Sequence, residues 1–218
     1  MSKKIDLIYS VLEIIRETYD DSEFTEEFIA DQLDSARGSL MRQLLRYSGD
    51  VTEDFIQQVE LNLSLADASL IEGNTDFKML QSQEIPTILR IKRKPYITRV
   101  GSVFISKPSF TYVAAEHLPW VGKGRFNANA KYYAYLNNKI VIKGNANDAE
   151  LATMEVGVLR AVFSSPDDVE TATNWNYEYP FPDSYRNELI QTTLQLISPK
   201  IELPTDKTND AENTKAEN

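Results

Sequence analysis

Cysteine is absent from this 218-residue chain and histidine occurs once. The first absence excludes a disulfide framework, a thiolate nucleophile and the usual zinc sites. The second leaves His117 without partners for a metal site or a charge relay, so it is expected to be a surface or loop residue. Apolar runs are short, and none approaches the roughly 20 residues needed to span a bilayer. Met1-Ser-Lys-Lys is not followed by the apolar stretch of a signal peptide, so a soluble protein outside the usual secretory route is expected, with no membrane partner. The phosphate-loop spacing is missing as well. Gly122-Lys123-Gly124-Arg125 lacks the closing Ser or Thr. Asp20-Asp21 and Asp167-Asp168 are adjacent carboxylates, better suited to turns and caps than to converging on one substrate atom. No catalytic constellation emerges, so the chain is expected to be non-enzymatic, without cofactor or metal.

What is present is a hydrophobic fraction of 42%, enough for a core, and a net charge of −10 that is unevenly spread. Residues 1–36 hold ten carboxylates against Lys3, Lys4 and Arg16, which leaves the rest of the chain nearly balanced. Within that balanced part, five of the ten residues from Arg90 to Arg99 are cationic: Arg90, Lys92, Arg93, Lys94 and Arg99. Leu89 and Ile91 alternate with Arg90 and Lys92, the period of a half-buried strand with a positive outer face. Three fates fit such a face: a solvated exterior, an electrostatic contact between subunits, or contact with DNA.

The chain divides into four stretches. Residues 1–50 predict an antiparallel helix hairpin: Ile5, Ile8, Leu12, Ile15 and Tyr19 form one stripe, and Phe28, Ile29, Leu33, Ala36, Leu40 and Leu44 the other. Asp20-Asp21-Ser22 ends the first helix. Thr25 is the expected N-cap of the second, with Phe24 and Ile29 as a hydrophobic staple. Arg37, Arg42 and Arg46 ride the second arm as contact candidates. Residues 51–170 predict an antiparallel, sandwich-like β core. Its clearest hairpin is Tyr133–Ile142, because Asn137-Asn138 can adopt the positive φ angles of a two-residue turn. Further strands are expected at Gln57–Leu63, Leu89–Arg93, Thr98–Ile105, Phe110–Ala114 and Leu151–Phe163, and an exposed loop at Pro119–Ala130. Residues 171–199 predict a segment leading into a helix capped by Asp183 and stopped by Pro199. Residues 200–218 are a polar tail with little to bury. The fold class is α+β. Trp120, Trp175, Tyr177 and Tyr179 are candidate aromatic anchors, for a core or for an interface.

The order of these segments resembles a family of ring proteins from the necks of crAss-like short-tailed bacteriophages. The likeness is carried by Ile5-Asp-Leu-Ile-Tyr through Tyr19-Asp-Asp-Ser, Phe28–Arg37, Pro95–Val100, Lys131–Ile142, Ala161–Val169 and Tyr177-Glu-Tyr-Pro-Phe-Pro, and it covers nearly the whole chain. The resemblance implies a structural virion protein that forms a head–tail connector ring, typically twelvefold, below the portal. It implies as partners further copies of the chain, the portal protein, adjacent ring or tail proteins, and double-stranded DNA passing without sequence specificity. Assembly would take place in the bacterial host cytoplasm and the mature location would be the virion neck. A non-catalytic β-sandwich recognition module, binding carbohydrate or a receptor, is the alternative from a different class. It would place Trp120 and Trp175 in an exposed aromatic groove.

Overall fold

A computed structural model describes residues 2–18, 24–48, 52–66, 76–91, 94–104, 106–123, 129–170 and 173–201. The chain clusters into two compact units, one of residues 1–43 with 174–218 and the other of residues 44–173. The architecture is α+β, with helices toward both ends and a large, mainly antiparallel sheet between them. Asp20-Asp21-Ser22 and the tail beyond residue 201 lie outside the described residues.

The terminal unit begins with α1 (Lys4–Thr18) and α2 (Glu26–Ser48). Leu7, Ile8, Val11, Leu12 and Ile15 are buried along α1, and Ile29, Ala30, Leu33, Ala36 and Met41 along α2, the three- and four-residue spacing of an inward helix face. Thr25 caps α2 as expected, its Oγ1 accepting from the Phe28 amide at 3.3 Å. Phe24 stacks on the Phe28 ring at 5.2 Å, one residue before the expected staple partner. The Lys4 ammonium meets Asp34, and the Tyr9 hydroxyl bonds Glu26, so progress along α1 runs back along α2 and the pair is antiparallel. The N-terminal strand-like residues close against the late segment: Lys4 donates its amide to Tyr177 O at 3.1 Å and Tyr179 donates to Ser2 O at 3.0 Å.

Two expectations for the last helix are corrected. Asp183 does not cap it; Asp183 opens a 3-10 turn, Asp183–Tyr185, and its Oδ1 accepts from the Ser2 amide and hydroxyl at 2.9 and 2.7 Å. Those bonds hold the Asp183 carboxyl below its usual range. The helix itself, α4 in chain order (Arg186–Ile201), continues past Pro199. It buries Leu189, Ile190, Thr193 and Ile197, and Thr193 satisfies its hydroxyl on Leu189 O at 2.8 Å.

The second unit carries β1 (Gln57–Leu65), β2 (Phe77–Ser82), β3 (Arg90–Ile91), β4 (Lys94–Pro95), β5 (Ile97–Ser102), β6 (Thr111–Tyr112), β7 (Tyr132–Leu136), β8 (Lys139–Asn145) and β9 (Val156–Ala161). Seven of them form one sheet in the order β5-β9-β1-β2-β8-β7-β6. β1 pairs with β9 over residues 57–62 and with β2 over residues 63–65, so it passes from one half of the sheet to the other and makes a corner. The ends of the order also meet, because Phe110, leading into β6, donates its amide to Val100 O of β5 at 2.8 Å. The expected sandwich-like core is therefore curled toward closure. One buried cluster includes Leu61, Leu80, Val100, Tyr133, Ile142, Leu159 and Phe163, and a smaller one of Leu118, Tyr132, Ala134 and Val141 lies on the other face of β7 and β8.

The Asn137-Asn138 turn joins β7 and β8 as expected, with φ of 48° and 56°. Asn138→Gly should leave stability equal or raise it slightly, whereas Asn137→Val should lower it by about 1–2 kcal/mol in chemical denaturation, because a β-branched residue resists that conformation. The expected Leu151–Phe163 strand is corrected at its start. Asp148 accepts from the Glu150 and Leu151 amides at 2.9 and 3.2 Å and caps α3 (Ala149–Thr153), leaving the strand to begin at Val156. A good cap ahead of Ala-Glu-Leu-Ala favours helix there.

Candidate interaction surfaces

The terminal unit is held by a buried ionic cluster. Lys4, with no exposed surface, places Nζ 3.2 Å from Asp34 Oδ1, and Tyr179 donates its hydroxyl to the same carboxylate at 2.7 Å. Arg37 is 1% exposed, donates Nε–H to Pro180 O at 3.0 Å, and stacks its guanidinium over the Tyr179 ring at 5.9 Å. Burial lowers the Arg37 pKa and pushes the Tyr179 phenol well above its ordinary range. Arg37 thus contacts the late segment of its own unit. Arg42 is exposed, and the side chain of Arg46 lies outside the described residues. Tyr177 and Tyr179 are buried, while Trp175 is half-buried at a φ of 54°, a conformation bulky residues rarely hold.

The outer face of α1 is acidic. Glu13 and Glu17 are exposed beside Arg16, and with Tyr9 and Leu12 they line an open groove of about 430 Å³. Glu26 accepts from Tyr9 and raises its phenol.

In the sheet unit the basic segment is not the single strand expected at Leu89–Arg93. Ile91 pairs with Lys94 and Arg90 with Pro95, so the chain reverses into a hairpin; Lys92 and Arg93 lie outside the described residues. The alternation Leu89-Arg90-Ile91-Lys92 is as compatible with one hairpin arm as with a longer strand, which is why the reversal was hidden. Backbone bonds fix the hairpin to the end of the sheet: Leu89 N to Val162 O at 2.8 Å, Tyr96 N to Leu89 O at 2.9 Å and Val162 N to Tyr96 O at 3.1 Å. Ile85 N reaches Asn138 O at 2.8 Å, which ties the approach to the β7–β8 turn.

Arg90 and Lys94 are exposed there, and the Arg90 guanidinium lies over the Tyr135 ring at 6.0 Å. Tyr135 is itself fixed, donating to Asn138 Oδ1 at 2.7 Å. Lys139 opens β8 after the same turn, but it is paired with Leu136 and so lies on the sheet face opposite Tyr135. Among the described residues, no carboxylate forms an ion pair with Arg90, Lys94 or Lys139. Arg99 is used differently. Its Nη2 donates to Phe104 O and Lys107 O at 3.3 and 3.0 Å, holding the loop after β5 rather than adding to an open face.

Elsewhere in this unit several charges are paired. Lys131 bonds Glu150 and lies 3.3 Å from Asp148, and Lys107 reaches Glu150 at 3.0 Å. At that corner the Lys131 ammonium holds the Glu150 carboxyl below its usual range and, with the Leu151 amide, does the same for Asp148. Gly144 lies against it, since a Cβ there would sit 2.2 Å from Leu151 Cδ1. Lys143 is 3% exposed and donates to Leu118 O and Pro119 O, each at 3.0 Å, with its ammonium 4.2 Å from the Phe77 ring centroid. Gly122, at φ +84°, approaches the same ring so closely that a Cβ would fall 2.9 Å from Phe77 Cε1. The result is a pinned loop that presents Trp120, 70% exposed, with Lys123 over its ring at 5.0 Å.

Two further expectations concern His117 and the Asp167-Asp168 pair. His117 is exposed beside Glu116, and Asp167 and Asp168 belong to a 3-10 turn, Pro166–Asp168. Among the described residues no cluster of three or more His, Cys, Asp or Glu is placed to hold a metal ion. Among them, too, no helix is long and apolar enough to cross a membrane.

No curated protein matches the chain in sequence. A family model described as phage tail ring protein 2, of crAss type, matches residues 6–215. That match spans both compact units, and the chain belongs to the phage tail ring protein 2 family of crAss-like phages.

Proposed function

We propose that the chain forms a closed homo-oligomeric ring, twelvefold, in the neck between head and tail below the portal, and that it serves structurally in genome retention and ejection. The observation that carries this reading is the family match over residues 6–215, to a protein described as a tail ring. Two features of the molecule support it. Its acidic helical face and its cationic sheet end are unlike surfaces, as a head-to-tail interface closed by rotation requires. Its net charge of −10 suits a channel wall past which DNA slides without adhering. Portal and neighbouring ring proteins would be its axial partners. Quantitative mass spectrometry of purified virions tests the proposal: twelve copies per particle, released together with the neck, are expected. A copy number in the hundreds, or presence only in lysate, would overturn it.

A recognition role has one observation in its favour, the exposed Trp120 on its pinned loop. Rigid exposed tryptophans are common binding anchors. Saturable glycan binding lost in Trp120→Ala would favour that reading, and silence across an array would remove it.

A further inference from the structure

We infer that the unassembled chain pairs with a second copy of itself across a twofold axis, through the outer face of α2. The two helices run antiparallel, and Asp31 of each copy meets Arg42 of the other. This contact goes beyond the ring reading and does not depend on it.

α2 buries Ile29, Leu33, Ala36, Arg37 and Met41 on one side, which leaves the opposite side outward. At about 3.6 residues per turn, Glu27, Asp31, Ser35, Gly38, Arg42 and Arg46 share less than about a third of the helix circumference. Glu27, Asp31, Ser35 and Arg42 are exposed there. Along this face the order is two acids, two small residues, two bases. The order is also symmetric. A point level with the Ala36–Arg37 peptide lies midway between Ser35 and Gly38, between Asp31 and Arg42, and between Glu27 and Arg46. A second α2 laid antiparallel about that point sets each acid of one copy level with a base of the other. The inner pair then stands about 8 Å along the helix from the axis. A parallel second helix would set like charge on like.

The centre of the face is shaped for close approach. Gly38 is itself buried at the floor of a notch, and a Cβ built on it would meet nothing within 4 Å. Among the described glycines only Gly122 has a positive φ, so neither backbone conformation nor packing inside the chain calls for glycine at 38. A glycine within a helix destabilises it relative to alanine. That loss is offset where a second helix packs close, because the distance between helix axes follows the size of the side chains at the crossing.

The charges are open to a partner. Among the described residues Glu27, Asp31 and Arg42 belong to no ion pair. A partner of other chemistry would have no reason to match a face that is complementary to itself. Exposed ion pairs each contribute little, so half-pairing is expected at roughly tens of micromolar, and the chain is a monomer at the nanomolar concentrations of mass photometry. A contact across a twofold axis is complete at two copies.

Sedimentation velocity of the full chain from about 5 to about 500 µM is the test, with circular dichroism confirming that each variant is folded. Wild type should pass from 24.8 kDa toward twice that mass. D31R and R42D each bring like charges together on both sides of the axis, so each should weaken pairing at least about tenfold. An equimolar mixture of the two should pair at least as well as wild type and stop at two copies, because one chain then carries two bases and the other two acids. A folding defect would give no such recovery. G38A separates contact from stability. Its methyl favours the helix and should raise the thermal midpoint by about 2 °C, yet it fills the notch and should weaken pairing at least about fivefold. Wild type that stays at 24.8 kDa across the whole range would overturn the inference. So would a mixture that pairs no better than D31R or R42D alone, and so would one that grows past two copies, the mark of a head-to-tail contact.

Discussion

Asp34→Ala is expected to destabilise the terminal unit by about 3–5 kcal/mol, the range for breaking a buried pair and leaving one charge behind. The Lys4 ammonium is wholly buried and lies 3.2 Å from the Asp34 carboxylate, and Tyr179 donates to that carboxylate at 2.7 Å. Removing the acid takes the ion-pair partner of a buried ammonium and the acceptor of a buried hydroxyl away together. Lys4 stands at the start of α1, Asp34 in the middle of α2 and Tyr179 on the late segment, so the loss should loosen all three at once. The chain has two tryptophans, and Trp175 belongs to this unit, so its fluorescence in a Trp120→Phe background follows the unit through urea unfolding. The apolar double variant Lys4→Met/Asp34→Leu should be less damaging than Asp34→Ala alone, because it removes the charge and its counter-charge together. Equal midpoints for wild type and Asp34→Ala would mean that the cluster does not hold the unit.

Lys143→Met is the second large effect. The substitution keeps most of the apolar stem but deprives Leu118 O and Pro119 O of their donor and removes the cation from Phe77. Two bonds to a charged donor are lost at a site that is 3% exposed, and a cost of about 2–3 kcal/mol follows. Because both acceptors lie in the stretch before Gly122, the loss should be local: faster hydrogen exchange over residues 115–123 and stronger quenching of Trp120, with the sheet itself still protected. Unchanged exchange in that loop would show that Phe77 and Gly122 suffice to hold it.

Local chemistry was legible in the sequence wherever one residue type answers one geometric demand. Asn137-Asn138 stated a tight turn and Thr25 stated a helix start, and both stand in the structure. The α+β class and the two N-terminal helices followed from periodicity of the same kind. What was hidden depends on partners far along the chain. Phe77–Ser82 is hidden as a strand because its inward positions are Leu80 and Ser82; the serine mutes the apolar alternation, and its Oγ is bonded there by the Ile140 amide at 2.9 Å, a partner 58 residues along the chain, besides donating to Gln83 O at 2.6 Å. Asp183 has the chemistry of a cap but is claimed by Ser2 at the other end of the chain. The basic segment was legible as charge and not as shape. Arg90 could be named from the sequence, whereas Tyr135 joins it only because the hairpin docks beside the β7–β8 turn.

The central claim is assembly into a ring, and the most direct measurement is the mass of the purified chain by mass photometry, alone and with a portal complex from the same virus. Free subunits of 24.8 kDa that add twelve copies to the portal complex are the predicted result. A chain that stays at 24.8 kDa across concentration and with the portal present would contradict it.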